Sequence, residues 1–152
     1  GLFLPMLIFI LSSIISFLSG SYLFTITTTM PLALRLATIN LTDPLIIDNH
    51  IFYVIASTIS GATFGDVNSP FSVNFIISTA ASNSRVKSHF ITQIGYSLIA
   101  FVTSIVFGYL LFALNIKPYL SISSGMIIIS IIFYFIDNDK LLKWKFGIRS
   151  KK

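Results

Sequence analysis

Cysteine and glutamate are both missing from this 152-residue chain, and histidine occurs only twice. Without cysteine there is no disulfide framework, thiolate metal centre or thiol nucleophile to consider. Without glutamate, and with His50 and His89 separated by most of the central sequence, there is no His-x-x-x-His or His-Glu pairing of the kind that builds a hydrolytic metal site. No enzymatic activity and no resident cofactor are expected. Charge is scarce as a whole, at 10% of residues against about 25% in a soluble domain, too little to cover the chain with a wetted surface. Hydrocarbon takes its place: 55% of residues are hydrophobic, Phe alone occurs 15 times and mean hydropathy is +0.90. The expected solvent is the lipid bilayer. The net charge of +5 does not point to a nucleic-acid partner, because six of the ten cations fall within residues 140–152, beside Trp144 and just after an apolar run. That pattern reads as a basic cytoplasmic tail (137–152) anchored to anionic lipid.

A helix crossing about 30 Å of hydrocarbon needs about 20 predominantly apolar residues. Residues 90–114 and 119–136 meet that requirement with no internal charge. Residues 2–37 are interrupted at Ser19-Gly20-Ser21, and residues 51–81 at Gly65-Asp66-Val67-Asn68-Ser69-Pro70. The expected architecture is therefore all-α and membrane-integral, with about four membrane segments, two of them broken or re-entrant. Short cytoplasmic loops hold the excess of Lys and Arg, which puts Arg85, Lys87 and the tail inside. The acidic 38–50 linker and the 115–118 turn fall outside. On this count segment 2–37 runs outward and 51–81 inward, unless 51–81 is a re-entrant hairpin. The chain starts at Gly1 and enters apolar sequence at once, without the charged start of a signal peptide; we read it as a piece of a longer multi-pass protein of the cytoplasmic membrane.

An ionisable residue at membrane depth marks an ion or substrate path by default, and Asp66 is such a residue. Non-helical backbone survives there only when buried in protein or lining a wet cavity, and broken helices supply carbonyls and amide ends to ions. Gly65 and Pro70 are expected to form the break, with Ser69 capping the second half-helix. Asp66 offers a hard oxygen ligand and a proton site; Asn68, Ser69, Ser72 and Asn74 add neutral oxygens. Gly20 would break the first segment, with Ser21 and Thr25 lining the site from that side. Blander readings stand beside these. Residues 66–70 also fit a water-exposed turn, Gly61-xxx-Gly65 fits close helix packing, and membrane Ser and Thr often bond their own helix carbonyls.

The stretch Ser60-Gly-Ala-Thr-Phe-Gly-Asp-x-x-Ser-Pro-x-Ser72, the small polar run at 78–82 and Thr92-Gln-Ile-Gly-Tyr96 resemble the NhaC-type sodium/proton antiporter family within the wider ion-transporter superfamily. Upstream, Ser19-Gly-Ser21 and the Pro31-containing half-helix resemble that family's first break. The likeness covers residues 2–114 or so. It implies that residues 1–136 form one half of an inverted-repeat transporter that exchanges Na⁺ for H⁺ at Asp66, with a missing N-terminal half or a second copy as candidate partner. Relatives that carry organic anions make Arg35 and Arg85 the cations to test for that substrate. Half-length instead fits an accessory subunit without transport of its own. The chain departs from the family pattern at Val67, Tyr22, Phe24, Val73, Asn74 and Phe75. Val73 stands where the family usually has a second carboxylate.

Overall fold

The computed structural model describes residues 3–39, 44–111, 114 and 117–137, which form helices and the short connections between them. The basic tail lies outside the described residues. The helices are α1 (Leu4–Ser19), α2 (Tyr22–Thr38), α3 (Pro44–Asn68), α4 (Val73–Ala81), α5 (Val86–Thr103) running on as π-helical turns (Ser104–Leu110), and α6 (Pro118–Asp137). Two compact units emerge, Gly1–Phe101 and Val102–Lys152.

In the first unit α1 ends where Gly20 adopts φ +65°, a left-handed conformation that glycine takes without steric cost, and its N–H returns to the Ser16 carbonyl. Ser21 then caps α2 by accepting from the Phe24 amide. The chain does not go on in its original direction. Ala33 and Ala37, near the end of α2, share one apolar cluster with Ile8 and Leu4, near the start of α1, and with Val54 of α3. At about 1.5 Å per residue, that cluster closes only if α2 turns back along α1. Segment 2–37 is thus a helical hairpin with Gly20 at its tip, and the single outward passage expected from the loop charges is corrected. Hydrophobicity marks a break but carries no information about direction after it; small alanines on one face of α2 decide the matter by letting it lie close.

α3 runs parallel to α1. Gly61 meets Phe9 and Ser12, Gly65 meets Ser13, Ser16 and Phe17, and Ser69 reaches the Phe17 carbonyl, so position advances along both helices together. The contact is as close as backbone allows, because a Cβ on Gly65 would overlap the Ser13 carbonyl oxygen and lie 2.7 Å from the Phe17 amide nitrogen. Gly65 is therefore a packing glycine inside an unbroken helix. The break sits later, at residues 69–72. Pro70 explains the shift, since a proline drives the residue before it out of the α region, and α3 stops at Asn68. Ser72, not Ser69, caps the next helix by accepting from the Asn74 amide. The 38–50 linker is also shorter than expected, because α3 is already helical from Pro44.

α5 returns along this pair: Phe75 of α4 contacts the rings of His89 and Phe90, and Phe64 of α3 those of Phe9 and Phe101. Gln93 donates to the Val67 carbonyl at 2.9 Å. Placing 89–90 at α4, 93 at the end of α3 and 101 further down α3 makes α5 antiparallel to both, so α3 and α4 together traverse the unit in one direction.

Beside its apolar cluster the interior of this unit holds many hydroxyls, and much of its exterior is apolar. Ser12, Ser16, Thr25, Ser57, Thr58, Ser69 and Ser72 are wholly buried, while Leu7, Leu11, Ile14 and Leu18 of α1 and Val73, Ile76 and Ile77 of α4 face outward. In the second unit, α6 packs on the π-helical turns: Ser121 donates to the Phe107 carbonyl and Gly125 lies against the Phe107 side chain. Among the described residues one helix, Val86–Leu110, has the length and apolar composition to cross a membrane; Leu4–Ser19 and Tyr119–Tyr134 are apolar but shorter.

Candidate functional site

The two interruptions meet. A Cβ on Gly20 would come within 2.9 Å of the Phe71 carbonyl group and 3.0 Å of the Ser72 nitrogen, so the hairpin tip rests directly on the turn between α3 and α4. Ser69 ties the two from the other side: its hydroxyl, fully buried, donates to the Phe17 carbonyl at 2.7 Å and accepts from the Phe71 amide at 3.2 Å. We expect Ser69→Ala to leave both backbone groups without this partner and to cost about 1–3 kcal/mol, read as a lowered midpoint of thermal unfolding in detergent.

Asp66 lies one turn upstream, in the last turn of α3, and is 3% exposed. Its Oδ2 accepts from Asn74 Nδ2 at 2.6 Å. The carboxylate lies between the carbonyl end of α3, which carries partial negative charge, and the amide end of α4, where Asn74 sits, which carries partial positive charge. No cation among the described residues pairs with it: Arg35, Arg85 and Lys87 are all exposed, and Asn74 is the side-chain partner Asp66 has. Nor do three or more His, Cys, Asp or Glu gather anywhere among the described residues. A cation here would bind through one carboxylate and neutral oxygens.

The other expected ligands divide. Asn68 is 3% exposed; its Nδ2 donates to the Phe64 carbonyl at 2.8 Å, while its Oδ1 is buried with no hydrogen-bond partner. A buried acceptor in that state is a place for a water, an ion or a donor from elsewhere. Ser72 uses its oxygen as a helix cap. Ser21 also caps, and Thr25 Oγ1 donates back to the Ser21 carbonyl at 3.0 Å, with Ser19 Oγ 3.5 Å away. The first break thus approaches the site through the backbone of Gly20, and its two hydroxyls serve their own helix. Three of the positions that depart from the family pattern, Tyr22, Phe24 and Val73, point outward at 39%, 54% and 66% exposure. Their bulk does not fill the space beside Asp66.

Sequence reasoning missed the α1 serines. Ser16 donates to the Ala62 carbonyl at 2.5 Å, Ser13 bonds the Phe9 carbonyl at 2.7 Å, and Ser12 is buried without a partner. The available signal was their spacing, since Ser12 and Ser16, four apart in an apolar run, match Gly61 and Gly65, four apart on α3. Compared with protein-family models, curated proteins and solved structures, the chain matches none.

Proposed function

We propose that this chain is the ion-binding half of a secondary active transporter of the cytoplasmic membrane, exchanging Na⁺ for H⁺ at Asp66. One observation carries the reading: a buried carboxylate with no cationic partner among the described residues lies one turn from the contact between two helix interruptions. A single carboxylate can hold a cation or a proton in turn, which is what exchange at one site needs. The orphaned Asn68 oxygen is a hard donor of the kind Na⁺ takes.

The membrane part of the proposal is supported by the distribution of side chains. Many serines and threonines are buried while many Leu, Ile and Phe side chains are exposed, an arrangement water would penalise at about 25 cal/mol per Å² of exposed apolar area and lipid would not. Small residues at the α1–α3 contact fit helix association in lipid. In this reading the α1–α2 hairpin enters and returns on the face opposite Arg85 and Lys87, α3 and α4 cross together, and the basic tail is cytoplasmic. Relatedness to the NhaC-type antiporters stays part of the proposal and rests on the residue 60–72 motif.

The deciding measurement is proton movement in proteoliposomes that contain this chain and a pH-sensitive dye. An imposed Na⁺ gradient is expected to drive proton flux that an equal K⁺ gradient does not. Absence of Na⁺-dependent flux from correctly folded protein would favour the accessory-subunit reading.

A further inference from the structure

On the premise that Asp66 is the ion-carrying group, we propose that one face of α4, formed by Asn74, Ser78 and Ser82 with His89 beside it, is the hydrated route from the α4–α5 turn to that carboxylate. Asn74, Ser78 and Ser82 follow at intervals of four, so they lie one above another along a single face. The lower end of the stripe is Asn74, bonded to Asp66. Its middle is Ser78, whose Oγ is 3.5 Å from His89 Nε2. Its upper end is Ser82, whose hydroxyl meets that of Ser84 at 2.8 Å and the Thr79 carbonyl at 3.1 Å, in the polar turn that carries Arg85. Nine helical residues at about 1.5 Å each give a path of roughly 13 Å.

The partner of the Ser78 hydroxyl sets the middle of this face apart from many exposed hydroxyls. Thr27, Thr28, Thr63, Thr92, Ser123 and Ser130 are exposed, and each bonds a carbonyl of its own helix three or four residues back. That is how a hydroxyl is satisfied against lipid. Ser78 is equally exposed but makes no such bond; its partner is the His89 ring. Asn74 likewise spends its amide on Asp66 and is exposed. Polar atoms left open beside hydrocarbon are costly, and water along the stripe removes that cost. The flanking residues of the same helix, Val73, Ile76 and Ile77, are apolar and face out, so the wet face is narrow. His89, with its ring centroid 5.3 Å from that of the buried Phe75, acts as a positioning residue that keeps the Ser78 hydroxyl turned away from its helix.

The absence of cysteine makes the test clean. Single-cysteine variants Ser78→Cys, Ser82→Cys, Ile76→Cys and Ile77→Cys, reconstituted as the full chain, are exposed to a charged, membrane-impermeant thiol reagent from either side. Ser84→Cys reports which side the turn faces, and labelling after denaturation confirms that every thiol is present. Because only a hydrated thiol ionises and reacts readily, Ser78→Cys and Ser82→Cys are expected to label about tenfold or more faster than Ile76→Cys and Ile77→Cys, and from the Ser84→Cys side. His89→Ala should slow labelling of Ser78→Cys, as its hydroxyl-sized side chain loses its outward partner, while leaving Ser82→Cys unchanged. Equal rates on both faces of α4, or labelling of Ser78→Cys from the opposite side, would overturn the route. Labelling requires no transport, so such a result would leave Asp66 to be judged by flux alone, and loss of flux with the expected labelling would refute the carrier and keep the hydrated face.

Discussion

Asp66→Asn is expected to abolish sodium-coupled proton movement while the protein folds as before. Asn has the size of Asp, and its side-chain oxygen can still accept from Asn74 Nδ2, so the link between the end of α3 and the start of α4 survives. What disappears is the negative charge. Without it the site keeps only neutral oxygens for a cation, and Na⁺-coupled flux is expected to fall to background. The proton-binding function goes with it, since an amide does not exchange protons in this range. The pair of measurements is Na⁺-driven proton flux in proteoliposomes and the thermal unfolding midpoint in detergent. Lost flux with an unchanged midpoint is the expected outcome. Retained sodium-dependent flux would remove Asp66 from the mechanism.

Gly65→Ala is expected to have the largest effect on stability of any single methyl added to the chain. The new carbon would overlap the Ser13 carbonyl oxygen and crowd the Phe17 nitrogen and the Ser16 Cβ, each 2.7 Å away. Two of these are backbone atoms, which cannot rotate aside, so α1 must move from α3 as a body. That separation strains the Ser16 bond to Ala62 and the Ser69 bond to Phe17 on either side of the contact. Overpacking costs about 1–3 kcal/mol, and each weakened hydrogen bond adds about 1 kcal/mol. Gly108→Ala is the control: nothing lies within 4 Å of the added carbon, and it should unfold at or slightly above the parent temperature, because alanine favours helix over glycine by up to about 1 kcal/mol. Similar midpoints for the two variants would contradict the close α1–α3 approach.

Much of the helical content could be read from composition and apolar run length. The α5 and α6 helices start and stop within a few residues of the 90–114 and 119–136 expectations, because long uninterrupted hydrocarbon leaves no competing local structure. Gly20 ends a helix as its position between two serines implied. One feature escaped and one stayed open. The reversal at Gly20 depends on which distant surface Ala33 and Ala37 meet, and no local pattern encodes that. Gly65 fits both a break and the close packing of Gly61-xxx-Gly65, because glycine permits either, and only the facing Ser13 and Ser16 distinguish them. Of the expected ligands, Asp66 and Asn74 are joined directly, Asn68 presents an open oxygen, and the hydroxyls of Ser21, Thr25 and Ser72 are occupied by their own helices. A hydroxyl next to a helix terminus has a cap to make before it has an ion to bind, which explains that division.

The seating of the Gly20 corner on residues 71–72 has an electrical consequence. It gathers two amide-bearing helix starts, those of α2 and α4, and two carbonyl-bearing ends, those of α1 and α3, into one small volume. Each start is equivalent to about half a positive charge and each end to about half a negative one, so the backbone contributions cancel to first order. Attraction for either sign of ion is then left to the one formal charge nearby, and the polarity of whatever settles at this crossing is decided by a single side chain.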